Sequence, residues 1–325
     1  MSTVIANARS LLIVIMAAAS CACAGDAAKE SDATLVDQVR ELRVQGHRLL
    51  DRGERDRAKA RFEEARQIAE SLDDLPGLTQ SLNDLGAVVA TEGDPNGAIQ
   101  LHQQALTLAD SLKRSDLQVE TLTHLGTAFQ LKGQPGEAAS LYAKGLALAR
   151  DIRDRRSEAV LLNNIGLLER RAGQKERAEQ SFRSALSINQ ELGDRVAEAA
   201  NVANLGLIAE EQGRWDEATS RFEAALELDK AVENRAAIAA DLGNLARIAE
   251  AHNRKDEALV YAQRAYWSFR ALGDTSRALT ELNRAVALAR TQGQKETLSQ
   301  LESDLKLWHA TGTASDKANP PTGEK

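Results

Sequence analysis

Apolar side chains along this chain follow the spacing of amphipathic helices, and the segment 156–194 shows the pattern most clearly. Leu162, Ile165 and Leu168 recur at intervals of three, which places them in one stripe of a helix. A second stripe begins after the turn residue Gly173 and consists of Ala178, Phe182, Ala185, Leu186 and Ile188. The pattern predicts two helices joined by a tight turn, with Gly173 supplying the positive φ that ends the first helix.

This two-helix unit recurs every forty residues. The small position of each first helix holds Gly46, Gly86, Gly126, Gly166, Gly206 and Ala246. The turn position holds Gly53, Gly93, Gly133, Gly173, Gly213, Asn253 and Gly293. A fixed period of this length indicates a solenoid of stacked helical units. We expect about seven helical hairpins, near residues 35–74, 75–114, 115–154, 155–194, 195–234, 235–274 and 275–310.

The first and last units depart from the repeat. Gln45 stands where other units have Leu or Ile, and the last unit has Val286 in the small position and Glu302 in the aromatic position. Terminal repeats have no neighbour on one face, so such departures are expected there. We predict that residues 294–308 form a capping helix.

The order of residue types, with Leu-Gly in the first helix and Ala, then Phe or Tyr, then Ala in the second, resembles the tetratricopeptide repeat. The period is similar to the forty-residue variant in LGN-type, kinesin-light-chain and Rap-type proteins. The resemblance spans residues 35–310. It implies an all-α fold, a right-handed superhelical solenoid, whose concave groove binds a protein or an extended peptide.

Composition agrees with stacked helices and gives no sign of catalysis. Aromatic residues make up 3% of the 325 residues, fewer than sheet cores favour. The net charge of −7 and the lack of a basic stripe argue against a nucleic-acid partner. The five histidines show no metal-ligand spacing, and no nucleophile is paired with a base. We therefore expect no enzyme, no metal and no cofactor.

Residues 1–24 have the features of an export signal. Arg9 precedes an apolar run at 11–19, which is too short to span a bilayer comfortably, and small residues follow. The sequence at 18–21 resembles the lipobox of bacterial lipoproteins, which implies lipidation of Cys21 and a place on the periplasmic face of a membrane. Cleavage after Ala24 with secretion, or an uncleaved anchor, are the alternatives. We predict a flexible tether at 25–34, a solenoid at 35–310 and a disordered tail at 311–325.

One polar column stands two residues before the small position of the first helices. From the second unit onward it reads Asp84, His124, Asn164, Asn204, Asn244 and Arg284. An asparagine side chain both donates and accepts, so it can bond the backbone of an extended peptide. The family resemblance implies this role for Asn164, Asn204 and Asn244, assisted by Asn163 and Asn83. The alternative is that these amides bond helix ends or neighbouring repeats.

Two further features suggest protein contacts. Charged residues end successive first helices, namely Arg170, Arg171, Glu210 and Glu211. They can select a ligand of mixed charge, or they can pair with each other from repeat to repeat. Trp267 occupies a position that holds polar or small residues elsewhere, which favours an exposed side chain in a protein contact or in self-association. Packing beneath the capping helix, against Trp308, is the alternative.

These features together favour an exported, membrane-anchored scaffold that binds a protein or peptide and serves envelope assembly or secretion. Two alternatives remain. The chain can be a peptide-sensing regulator of the Rap type, although that class is cytoplasmic and this sequence carries an export signal. It can also be a purely structural protein that self-associates through its outer faces or its cap.

Overall fold

The computed structural model describes residues 34–311, which form fourteen α-helices and no strand. The predicted signal peptide, the lipidation site at Cys21, and nearly all of the predicted tether and tail lie outside these residues. The first helix, α1, spans residues 34–51. The others are α2 Arg55–Ser71, α3 Leu75–Thr91, α4 Pro95–Ser111, α5 Ser115–Leu131, α6 Pro135–Asp151, α7 Arg155–Arg171, α8 Lys175–Leu192, α9 Arg195–Glu211, α10 Trp215–Ala231, α11 Arg235–Ala251, α12 Lys255–Ala271, α13 Thr275–Gln292 and α14 Lys295–Thr311.

From α2 onward a helix begins every twenty residues, so two helices make one forty-residue unit, as the sequence pattern predicts. Pro95 and Pro135 stand at the first helical position of α4 and α6, where the missing N–H costs nothing. The predicted capping helix is α14. No helix among residues 34–311 is long and apolar enough to cross a membrane. The all-α hairpin architecture is therefore confirmed.

The turns within hairpins have the predicted left-handed backbone. Gly173 has φ +75°, and Asn253, the one residue that replaces glycine in this position, has φ +57°. The turns between hairpins use the same conformation at Gly193 and Gly273, and also at four residues that carry a side chain. These four are Asp73, Lys113, Arg153 and Glu233, with φ between 52° and 60°. A left-handed residue with a Cβ costs roughly 1–2 kcal/mol, so these turns carry strain that glycine would relieve.

In the first five hairpins, the small position of the first helix is explained by a ring in the second helix, sixteen residues later. A Cβ added to Gly166 would lie 2.7 Å from the ring of Phe182, closer than real Cβ contacts allow. Gly46, Gly86 and Gly126 meet Phe62, His102 and Tyr142 in the same way, and a Cβ on Gly206 would make a tight contact of 3.1 Å with Phe222. In the sixth unit both partners change together, to Ala246 and Ala262, and both lie in one core cluster. The hairpin core is thus a matched pair of a small residue and a ring.

The described residues divide into two compact units, unit 1 up to residue 157 and unit 2 from residue 158 onward. In unit 1, helices α2 to α6 pack in sequence, each against the next. In unit 2, helices α8 to α14 do the same, and a continuous core runs from Ala209 on α9 to Trp308 on α14. The candidate site residues are distributed over both units, and each unit is considered separately below.

Candidate functional site

In unit 2, three half-buried asparagines occupy the same turn of three successive first helices, and we call them the asparagine column. They are Asn164 on α7, Asn204 on α9 and Asn244 on α11. Asn204 Nδ2 donates to Asn163 Oδ1 at 3.0 Å, which joins α9 to α7. Asn163 Nδ2 in turn donates to Asn164 Oδ1 at 3.5 Å. Asn163 therefore bridges Asn164 and Asn204, and its own contact with a ligand stays a prediction.

Each member of the asparagine column keeps one polar group without a partner among residues 34–311. Asn164 Oδ1 and Asn204 Nδ2 are engaged as described, and Asn244 Oδ1 accepts from Arg247 Nη2 at 2.9 Å. The remaining groups are the Asn164 amide, the Asn204 carbonyl and the Asn244 amide, and none of them is fully buried. The asparagine column thus presents a donor, an acceptor and a donor, which suits the alternating groups of an extended backbone.

The amides also serve the alternative role, because one of their bonds links neighbouring repeats. The Asn204–Asn163 bond spans two hairpins, and Asn244 is bonded within α11. These contacts orient the side chains and leave the second group of each amide open. A fixed orientation lowers the entropic cost of binding a ligand. The structural and the ligand-binding interpretations are therefore compatible for these residues.

The charged residues beside the asparagine column pair between successive first helices. Arg170 Nε on α7 lies 3.5 Å from Glu211 Oε1 on α9, and Arg247 on α11 pairs with Glu210 on α9. Arg284 on α13 pairs with Glu250 on α11, which continues the series. Arg171 is exposed and has no ion-pair partner among the described residues. The geometry supports the interpretation in which these charged residues pair from repeat to repeat, Arg170 with Glu211 and Glu210 with Arg247.

Arg247 was not singled out by the sequence, although a signal was present. It occupies the position that holds Leu167 and Leu207 in the two preceding units. Burial lowers the pKa of Arg247, and the positive charges of Arg284 and Arg170 lower it further. A lone charged residue in an otherwise apolar position marks a side chain whose partner lies in another repeat.

In unit 1, the prediction that Asn83 contacts a ligand is wrong, because its side chain is fully buried. Asn83 Nδ2 donates to Thr121 Oγ1 at 2.9 Å, and Asn83 Oδ1 accepts from His102 Nδ1 at 3.2 Å. His102 takes the position that holds Phe or Tyr in other hairpins, and burial lowers its pKa to about 3. A neutral polar ring in the core requires a polar partner, and Asn83 provides it.

Asp84 is also buried and bonded within the protein, so the prediction that it contacts a ligand is wrong. Its carboxylate is 5% exposed and accepts from Arg43 Nε at 2.6 Å. Its second oxygen lies 3.1 Å from His47 Nε2, and this hydrogen bond raises the pKa of His47. Asp84 therefore joins α3 to α1, and its carboxylate is not available to a ligand.

His124 is half-buried and stacks on His102, with ring centroids 5.4 Å apart. Burial lowers the pKa of His124, so the ring is neutral at pH 7. A neutral imidazole can donate or accept one hydrogen bond, but it cannot attract an anion. Of the positions predicted in unit 1, His124 alone keeps access to solvent, and it differs in chemistry from the asparagine column.

The interpretation of Trp267 as an exposed side chain is wrong. Trp267 is half-buried against the core of α9–α14, which includes Trp308 of the capping helix. Its ring centroid lies 4.8 Å from that of Tyr266, and the Arg270 guanidinium lies 4.8 Å from the Trp267 centroid. Tyr266 is fully buried and donates to Asp304 Oδ2 on α14 at 3.2 Å. These aromatic residues hold the cap in place.

A buried pair of carboxyl groups lies between α10 and α11, and the sequence analysis missed it. Asp229 and Asp241 are each 2% exposed and share a hydrogen bond. Burial raises the pKa of Asp241 to about 8, and the neighbouring Asp229 adds to the shift. Asp241 is therefore protonated at neutral pH. Among residues 34–311, no three His, Cys, Asp or Glu residues are arranged to hold a metal ion.

The structure is similar to those of several known helical proteins. It matches BtubC (BKLC) from P. vanneervenii with 22% identity and a TM-score of 0.57, over 74% of this chain and 92% of that chain. It matches pilF of Pseudomonas aeruginosa with 20% identity and a TM-score of 0.53, over 74% and 93%. A Rap protein complexed with competence and sporulation factor matches with 15% identity and a TM-score of 0.59, over 81% and 76%. At these identities the likeness shows the fold alone.

No curated protein sequence matches the chain significantly. The sequence model of the tetratricopeptide repeat matches it three times, at residues 46–111, 117–191 and 196–266. These three segments cover most of the described helices and include every member of the asparagine column. Together with the forty-residue helical hairpins, they show that the chain belongs to the tetratricopeptide repeat family.

Proposed function

We propose that this protein is an exported, membrane-anchored scaffold that binds an extended segment of a partner protein along the asparagine column of unit 2. The observation that carries the proposal is the set of three open polar groups on Asn164, Asn204 and Asn244. Repeat proteins of this kind present extended binding surfaces, and the proposal includes no catalytic step.

Successive first helices are close enough for one extended segment to contact them, because Asn204 on α9 bonds directly to Asn163 on α7. Val160 and Leu167 lie one turn to either side of Asn164, and Val160 is 46% exposed. Apolar side chains of the segment can bury against them, while the backbone bonds to the amides.

Partner binding can be tested with a photo-crosslinking residue at Leu207, one turn after Asn204, in the producing cell. The matched control carries the same residue at Glu227, whose side chain is 72% exposed on the second helix of the same hairpin. We expect one protein to crosslink at 207 and not at 227. We also expect the crosslink to vanish in Asn164→Ala/Asn204→Ala/Asn244→Ala. A crosslink at 207 that survives the triple substitution would show that binding near Leu207 does not depend on the asparagine column.

Export and anchoring rest on the N-terminal sequence, with its apolar run at 11–19 and Cys21. Fractionation of cells that produce wild type or Cys21→Ser, together with labelling by a clickable fatty acid, tests both. We expect labelled wild type in the membrane fraction and no label on the variant. Unlabelled wild type in the cytoplasm would instead favour the Rap-type sensor, for which the structural likeness supports the fold alone.

A further inference from the structure

The first hairpin has an end face with a chemistry unlike that of the repeats behind it. In α3, Leu85 and Val88 are 4% and 1% exposed, because another hairpin covers them. The equivalent residues of α1 are Gln45 and Arg48, and Arg48 is exposed. No described hairpin precedes α1. A polar end is expected of a terminal repeat, but solubility alone does not require charges of one sign.

This end face contains a depression of about 480 Å³ lined by Gln45, Arg48, Leu49, Arg52, Arg57 and Arg61. We call these residues the arginine end face. Arg57 pairs with Glu54, and Arg61 Nη1 lies 2.5 Å from Glu64 Oε2. Arg48 and Arg52 are exposed, and their side chains have neither an ion pair nor a hydrogen bond among residues 34–311. The lining thus keeps two uncompensated guanidinium groups in a chain whose net charge is −7.

We infer that the arginine end face binds the phosphate groups of an anionic lipid bilayer. A guanidinium group matches phosphate with two parallel hydrogen bonds and is more weakly hydrated than an ammonium group. Arg48 and Arg52 lie one turn apart on α1, and Arg57 and Arg61 lie one turn apart on α2. Arg48 and Arg52 are open, and Arg57 and Arg61 lie in exposed ion pairs with Glu54 and Glu64. Groups spread over two helices in this way fit a surface that carries many phosphates better than they fit one small anion.

The position of this face in the chain also favours a bilayer. The predicted lipidation site, Cys21, precedes α1 by thirteen residues, which reach at most about 45 Å when fully extended. An anchor at that point would hold the first hairpin close to the membrane. The lipid contact does not depend on peptide binding by unit 2. It also does not require lipidation, since basic residues bind anionic bilayers without an anchor.

The test is binding of the full chain, carrying Cys21→Ser, to vesicles of phosphatidylcholine with and without phosphatidylglycerol. The variant is Arg48→Ser/Arg52→Ser, and the matched control is Arg235→Ser/Arg264→Ser, which removes two exposed arginines from unit 2. The parent chain, the variant and the control share the apolar run at 11–19, so any contribution of that run to vesicle binding is the same for all three. Circular dichroism confirms that each variant is folded.

We expect phosphatidylglycerol to strengthen binding of the parent chain and added salt to weaken it. The arginine variant should bind anionic vesicles about thirtyfold more weakly, since each basic residue contributes roughly a factor of five. The control should bind like the parent chain. Equal binding by the variant and the parent overturns the inference. Complete competition by millimolar inorganic phosphate also overturns it, because the face would then be a site for a free anion.

Discussion

Asn83 and Asn164 stand one position apart in the repeat, yet their amides have different surroundings. Asn83 is fully buried and bonded to Thr121 and His102, whereas Asn164 is half-buried and keeps its amide open. The difference follows from His102, whose polar ring occupies a core position. A buried polar ring needs a hydrogen-bond partner in the core, and Asn83 is that partner. Residue type alone therefore does not decide which asparagine can bind a ligand.

Alanine substitution separates these two roles. Asn83→Ala should lower the free energy of unfolding by about 1–3 kcal/mol, because it leaves buried groups on Thr121 and His102 unpaired. Asn164→Ala should change it by less than about 0.5 kcal/mol, since its amide is partly solvated. Urea unfolding followed by circular dichroism measures both. Equal losses would mean that the Asn164 amide is bonded within the protein and is not open to a ligand.

Lys113 is a second place where one residue sets local stability. Its backbone is left-handed, with φ +52°, and its side chain is exposed. Lys113→Gly should therefore stabilise the protein by about 1 kcal/mol and raise its melting temperature by a few degrees. The control Lys144→Gly, in the middle of α6, should destabilise it by about 1 kcal/mol. Differential scanning calorimetry provides the comparison, and a lower melting temperature for Lys113→Gly would refute the strain argument.

Between helices, the contact of α10 with α11 depends on a proton. Asp229 and Asp241 lie between them without access to water, and one oxygen of Asp241 has no hydrogen-bond partner. Two buried carboxylates within hydrogen-bonding distance of each other would repel if both were charged, so the pair keeps a proton at neutral pH. The contact between these two helices is therefore sensitive to alkali.

The pH dependence of stability tests this pair. The pKa of Asp241 is about 8 in the folded state against 3.8 for a free side chain, so the folded state holds the proton more tightly. The contribution of this pair to stability is then greatest below about pH 4 and falls as the pH rises toward about 8. Asp241→Asn stays neutral, so its melting temperature should exceed that of wild type at pH 8.5 by more than at pH 5. The exposed-site control Asp256→Asn should show no such difference. A gap between Asp241→Asn and wild type that does not change with pH would show that Asp241 is not protonated in the folded state.

Across the whole molecule, the sequence is sufficient to predict the hairpins, their period and the cap. The reason is that the turn within each hairpin carries a residue with a required conformation, such as Gly173 or Asn253, and five hairpins carry a glycine that faces a ring. These are local requirements, and forty-residue repetition makes them visible in one sequence.

The partners of long polar side chains could not be predicted in this way. Asp84 bonds to Arg43 and His47 on another helix, and Glu210 pairs with Arg247 in the next unit. Helical spacing gives the face on which a side chain lies. Helical spacing does not show which of several charged residues on neighbouring helices such a side chain will pair with. For that reason the sequence predicts the asparagine column, but it does not show that its three members are open to solvent while Asn83 is buried.

The central claim, that the asparagine column binds an extended backbone, is tested most directly by one affinity measurement. The segment that crosslinks at Leu207 is made as a synthetic peptide, and its dissociation constant is measured by isothermal titration calorimetry. The proteins compared are wild type, Asn164→Ala/Asn204→Ala/Asn244→Ala and the control Asn96→Ala/Asn283→Ala, whose two side chains are exposed. Three lost hydrogen bonds of about 1 kcal/mol each should weaken binding by the triple variant about a hundredfold, with the control unchanged. Equal affinity for all three proteins would contradict the account.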